Sequence, residues 1–249
     1  MWTARALGSE ARPLVAEGWR VVESQSRVAT MKLVDNLDEQ AILEAELEGS
    51  KPAVPTGCAH LHWLLATPFR YAPYPHGSRF RRARQRDGAF YCAEVVETAV
   101  AETAFHTLLF FLASPGTRLP ANPLERTAFH VPVRAASALD LTATPFAAER
   151  AAWTHPTEYA RCQDLADAAR AAGIETIRCE SVRDPAARPN LALLSPTAFA
   201  AVVPDGFETW RILLRRDRAE AVREMPRTGL SFPYVAWAAT DPRVPALLG

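Results

Sequence analysis

The residues of this chain best suited to chemistry are a glutamate in an apolar stretch, a tyrosine eleven positions before it, arginines in a proline-broken segment, and a serine in a polar loop. Glu102 sits in a run from Ala99 to Leu112 that is otherwise almost wholly apolar. A carboxylate there is costly unless it is paired or used. An arginine partner is one way to satisfy it. A sugar is the other: breaking an N-glycosidic bond builds oxocarbenium-like charge on the ribose, and a carboxylate can steady that charge while holding the hydroxyls. Tyr91 offers a flat ring, suited to stacking on a nicotinamide or adenine and equally suited to a core. Arg70, its neighbour Tyr71, and Arg79 lie in TPFRYAPYPHGSRFRR (67–82). Guanidinium groups present planar, bidentate donors that fit a diphosphate, although a solvated surface uses arginine too. Ser181 lies in the polar stretch ESVRDPAARPN, with Arg183 and Asn190 close behind. Its hydroxyl could bind a ribose or an amide, or could simply belong to a loop. None of these features is specific alone; their order in the chain is what narrows the reading.

Composition sets the outer bounds. The chain has 249 residues, 28 Lys+Arg against 28 Asp+Glu, and 49% apolar residues. Zero formal net charge removes the basic footprint expected of a nucleic-acid binder. A core of useful size is affordable, and no apolar stretch approaches the length of a membrane span. The first residues lack the apolar centre of a signal peptide, which makes cytoplasmic the expected location. Cys58, Cys92, Cys162 and Cys179 are widely spaced and read as reduced, buried thiols. Motifs for a dinucleotide-binding βαβ unit, a P-loop, a zinc protease helix and an α/β-hydrolase elbow are absent. His60 and His62 could point the same way from a strand, as a metal pair or as a half-buried polar face, and no third ligand lies nearby in sequence. No metal is expected. An unrelated hydrolase built on these histidines or on a Cys–His pair is a further alternative.

The elements that must position these residues can be read from periodicity. Residues 1–17 read as a loose leader or a helix, with the rest (18–249) as one domain whose core spans about 58–205. WRVV (19–22) predicts a strand. Asn36 and Glu39 have capping-box spacing for a helix over 36–48, stopped by Gly49 and Pro52. CAHLHWLL (58–65) predicts a strand, 67–82 irregular backbone, and 89–93 a short strand. The apolar run predicts a helix over about 98–112, with Glu102, Phe105 and Leu109 on one face; His106 on it reads as a core or partner-facing histidine. Strands follow at 127–133 and 138–141, then a helix over 157–172 ended by Gly173. Further strands are predicted at 174–179, 191–194, 198–203 and 209–215, and a helix at 217–225. The order is that of an α+β fold with a mixed sheet.

On these residues the chain resembles the RES-domain family, named for its Arg, Glu and Ser. GSRF (77–80) followed by AFYCAEVVETAVAETAFH (89–106) is similar to the family's run from an arginine through the tyrosine to the glutamate. AGIETIRCESVRDP, within Gln163–Asn190, is similar to the segment that carries the serine, and WRVVESQ, DEQAILEAELEGSKP and TPFRYAPYPHGSRF match a longer subgroup. The resemblance spans roughly residues 18–205. It implies a split mixed sheet around a cleft, similar to the ADP-ribosyltransferase and diphtheria-toxin core. It also implies a toxin that consumes NAD+ as substrate, by hydrolysis, phosphorolysis or ADP-ribosyl transfer to a protein acceptor, and that an Xre-like antitoxin neutralises. Carried onto this sequence, Glu102, Arg79 and Ser181 would be catalytic. Arg70, Tyr71, Arg79, Tyr91, Ser181 and Asn190 would bind the dinucleotide. A catalytically inactive interaction protein of the same fold is the alternative.

Overall fold

The computed structural model describes residues 2–24, 33–71, 73–114 and 116–244. Eight strands form one mixed sheet: β1 (Arg12–Glu23), β2 (Phe90–Ala93), β3 (Leu124–Asp140), β4 (Thr176–Glu180), β5 (Pro189–Leu193), β6 (Asp205–Leu214), β7 (Arg218–Arg223) and β8 (Thr228–Pro233). The α-helices are α1 (Ala4–Glu10), α2 (Leu37–Gly49), α3 (Trp63–Arg70), α4 (Val96–Leu112), α5 (Arg150–Trp153), α6 (Ala160–Ala171) and α7 (Tyr234–Ala238). The architecture is a mixed α+β domain.

The long strand β3 is the spine. One of its edges carries β1, antiparallel from Arg12 opposite Ala138 to Glu23 opposite Arg126. Its other edge is shared: β6 pairs antiparallel with Leu124–His130, while β4 pairs parallel with Ala138–Asp140. Between them the edge is met by an isolated bridge, Val133 to Phe199, and by hydrogen bonds with Glu175, without a further strand. The sheet therefore splits into two arms, β6–β7–β8 and β4–β5–β2. The second arm curls until β2 meets β1 again through a single pair, Trp19 with Ala93. Gly18 permits this closure, because a Cβ there would stand 2.8 Å from the Val131 carbonyl and 3.1 Å from Cys92 Sγ.

The core follows the apolar periodicities. Val100, Ala101, Ala104, Phe105 and Leu108 of α4 pack with Ala128, Trp210, Ile212, Ala221 and Trp237. α1 and α6 meet around Leu7, Leu165 and Ala169, with Phe80 and Ile177 in the same cluster. Phe90, Phe129, Val131, Leu191 and Leu193 pack with Leu65 and Phe69 of α3.

Several sequence expectations need correcting. The leader segment is packed, not loose, and the helical alternative applies to part of it: Ala4–Glu10 form α1, whose Leu7 is fully buried, and residues 12–17 are the first half of β1. Residues 58–65 are a short 3-10 turn (Thr56–Cys58) and the start of α3, not a strand; the spacing of Leu65, Ala66 and Phe69, all buried, is helical, and His62 caps the helix by accepting from Leu64 N. The irregular backbone expected from 67 begins only after Arg70. The two strands at 127–133 and 138–141 are one, β3. Residues 198–203 are not a strand, because Pro196–Ala198 turn in a 3-10 helix capped by Ser195. Residues 217–225 form β7, not a helix: Ala219 and Ala221 alternate inward between β6 and β8, and tertiary pairing overrides alanine's helical preference.

Candidate active site

A cleft of about 830 Å³ opens between α4 and the curled arm of the sheet. Its walls come from β1, β2, the start of β5, the 77–80 loop, the segment after β4, and Arg243 beyond α7. The lining residues of α4 include Ala99, Glu102, Thr103, His106, Thr107 and Phe110, a stripe at helical spacing opposite the buried one. α4 thus buries one face in the core and presents Glu102 from the other.

Glu102 is held on one oxygen. Ser181 Oγ donates to Glu102 Oε1 at 2.7 Å, and Asn190 Nδ2 donates to the same atom at 2.6 Å. Its other oxygen, Oε2, stands 3.8 Å from His106 Nε2. Among the described residues no arginine forms an ion pair with Glu102, so the arginine-paired reading of this carboxylate is not what the structure shows. Ser181 is 2% exposed and does not itself line the cleft. It accepts from Arg183 N (3.3 Å) and Asp184 N (3.0 Å), which locks its hydroxyl toward Glu102. The loop is sealed to the first turn of α4 by Thr98, which donates to the Asp184 carboxylate at 2.6 Å, and Arg188 pairs with the same carboxylate.

Tyr91 lines the cleft from β2, and its hydroxyl holds the neighbouring loop. It shares a hydrogen bond with Ser78 Oγ (2.7 Å) and accepts from Phe80 N (3.1 Å); burial pushes its pKa up. Arg79 lies between those two contacts. Its Nη1 donates to the carbonyls of Trp153 and His155 at 2.7 and 2.9 Å, and the guanidinium lies 4.8 Å over the Tyr159 ring. No carboxylate among the described residues pairs with it.

Arg70 and Tyr71 are not among the residues that line the cleft. Arg70 Nη1 donates to Glu48 of α2 at 2.6 Å and Arg70 Nε donates to the Pro52 carbonyl, so this guanidinium ties α2 to α3. A guanidinium that the segment 67–82 does not supply lies in the cleft wall instead. Arg20, on β1, lines the cleft, donates to the Tyr91 carbonyl at 2.9 Å, and lies 4.8 Å over the Phe90 ring. It too has no carboxylate partner among the described residues. Its one sequence signal was its place in WRVV, a strand with an arginine in it. Arg183 is deeply buried, 4.1 Å over Phe105, with its Nη1 2.6 Å from the Asp241 carboxylate. Arg243 shares that carboxylate.

Burial pushes the thiols of Cys92 and Cys179 up to about 12, which leaves them unsuited to nucleophilic work at neutral pH. All four cysteines are free and buried. Among the described residues there is no cluster of three metal-ligating side chains, and no helix is long and apolar enough to cross a membrane.

The RES domain family model matches residues 54–215, which contain Arg79, Tyr91, Glu102, Ser181 and Asn190. No curated protein matches the chain. A crystal structure of the M. tuberculosis MbcT–MbcA toxin–antitoxin complex aligns over 95% of this chain and 95% of that one, at a TM-score of 0.46 and 10% sequence identity. The family match spans well over half of the sequence: this chain belongs to the RES-domain family.

Proposed function

We propose that the cleft binds NAD+ and breaks its nicotinamide–ribose bond. The observation that carries this reading is the setting of Glu102: one oxygen is fixed by Ser181 and Asn190, the other is turned away from them beside His106, and the wall also carries Arg20 and Arg79, neither paired with a carboxylate. Such cations suit a diphosphate, because their charge has not been neutralised within the protein. As the C1′–N bond opens, its electron pair leaves with nicotinamide and positive charge grows on the ribose. The preorganised carboxylate stabilises that charge without having to reorient, since its position is already held by two donors.

In this reading residues 18–249 carry the catalytic groups, with α1 and the first half of β1 packed onto them as part of the same fold, and the split sheet is the counterpart of the ADP-ribosyltransferase and diphtheria-toxin core. The ribosyl cation is captured by water, phosphate or a protein acceptor. The protein acts as a cytoplasmic toxin, and an Xre-like antitoxin neutralises it by covering the cleft. The test is incubation of the purified protein with NAD+ while free nicotinamide is followed, alongside Glu102→Gln. Release by the native protein and its loss in the variant are expected. Equal release by both, or none by either with a folded protein, would overturn the reading.

A further inference from the structure

We infer that His106 is the base that takes the proton from the hydroxyl capturing the ribosyl cation. The inference rests on the reading of the cleft as an NAD+-cleaving site and assigns one further residue within it. His106 follows Glu102 by one helical turn on the cleft stripe of α4, and its side chain is 61% exposed there. The 3.8 Å between its Nε2 and Glu102 Oε2 is too long for a direct hydrogen bond. The two atoms are nevertheless close enough for one hydroxyl to lie within hydrogen-bond range of both.

The charged groups facing the ring are Glu102 from its own helix, Arg183 from the β4–β5 loop, and Arg243 and Asp241 from the segment after α7. The cleft walls around the ring, which displace bulk water while leaving the side chain accessible, and then the two guanidiniums hold its pKa below the usual histidine value against the pull of Glu102 and Asp241. A neutral imidazole at neutral pH is a competent proton acceptor. The other bases in the wall are committed: Glu180 to Arg150 and Glu23 to Arg126, while the buried thiols stay protonated.

With water as acceptor the step balances. The C1′–N pair departs with nicotinamide, a water lone pair forms the C1′–O bond, and the released proton passes to His106 Nε2 and then to solvent. NAD+ and water give ADP-ribose, nicotinamide and one proton. The imidazole touches the incoming hydroxyl and so acts directly.

The experiment compares native protein with His106→Gln and His106→Ala in the full chain, following nicotinamide release between about pH 5 and 9. In the native protein kcat should rise with pH through an apparent pKa below about 6.5 as the imidazole loses its proton. In His106→Gln that limb should vanish, with kcat down roughly 10²-fold and KM within about twofold. Added imidazole should restore part of the rate to His106→Ala. An unchanged limb and rate in His106→Gln would overturn the inference while leaving the reading of the site intact. Absence of release by the native protein would remove both.

Discussion

Arg70 and Arg79 stand near the two ends of the same basic, proline-rich segment, yet they sit in opposite surroundings. Arg70 is taken up by Glu48 and the Pro52 carbonyl, in the outer layer formed by α2 and α3. Arg79 is braced by two backbone carbonyls and a tyrosine ring, which position a guanidinium without neutralising it. Carbonyls orient a cation; a carboxylate cancels it. Availability for an anionic ligand therefore depends on the kind of acceptor that holds the arginine. By that criterion Arg20 belongs with Arg79, and Arg183, paired with Asp241, belongs to the framework.

The contrast can be broken or sharpened by substitution. The largest effect is expected from Glu102→Ala, which removes the charge proposed to face the sugar: nicotinamide release should fall by roughly 10²–10³-fold or more, with stability down by about 1–3 kcal/mol because Ser181 and Asn190 lose their acceptor. Next come Arg20→Ala and Arg79→Ala, each expected to raise KM for NAD+ by roughly 10- to 100-fold through loss of a charge-assisted contact. Equal KM values in either variant and the native protein would erase the distinction between carbonyl-held and carboxylate-held arginines. Ser181→Ala should lower kcat by about tenfold and reduce stability by about 1–3 kcal/mol, because the buried Arg183 and Asp184 amides lose their acceptor. At roughly 2–4 °C per kcal/mol, differential scanning should detect that shift. Smallest is Arg70→Ala, which should leave turnover within about twofold, since Arg70 does not line the cleft and its ion pair with Glu48 ties α2 to α3.

Much of the site was legible because it is local. Tyr91 and Glu102 lie on one strand–helix unit, and the apolar run around Glu102 announces both a helix and an anomaly within it. Asn190 and Ser181 were legible through the polar loop between two strands. Arg20 was not, because the residue that brings it to the cleft is its neighbour Trp19, paired with Ala93 across more than seventy positions of sequence. His106 was within reach: its i+4 spacing from Glu102 places it on the same stripe, but an apolar helix suggests burial on all sides, and the open side became visible only with the cleft. Alanine-rich segments misled at 217–225, where neighbouring strands impose an extended backbone on residues that would otherwise favour a helix.

The sequence by itself determined the helix that carries Glu102, the strands on either side of Ser181, and the cast of charged side chains, because helical and strand periods and residue chemistry are properties of adjacent positions. Only the tertiary structure decided which arginines are paired with a carboxylate and which are not. Neutralisation falls off over a few ångströms, and whether Glu48 reaches Arg70 or no carboxylate reaches Arg20 is set by how distant segments pack.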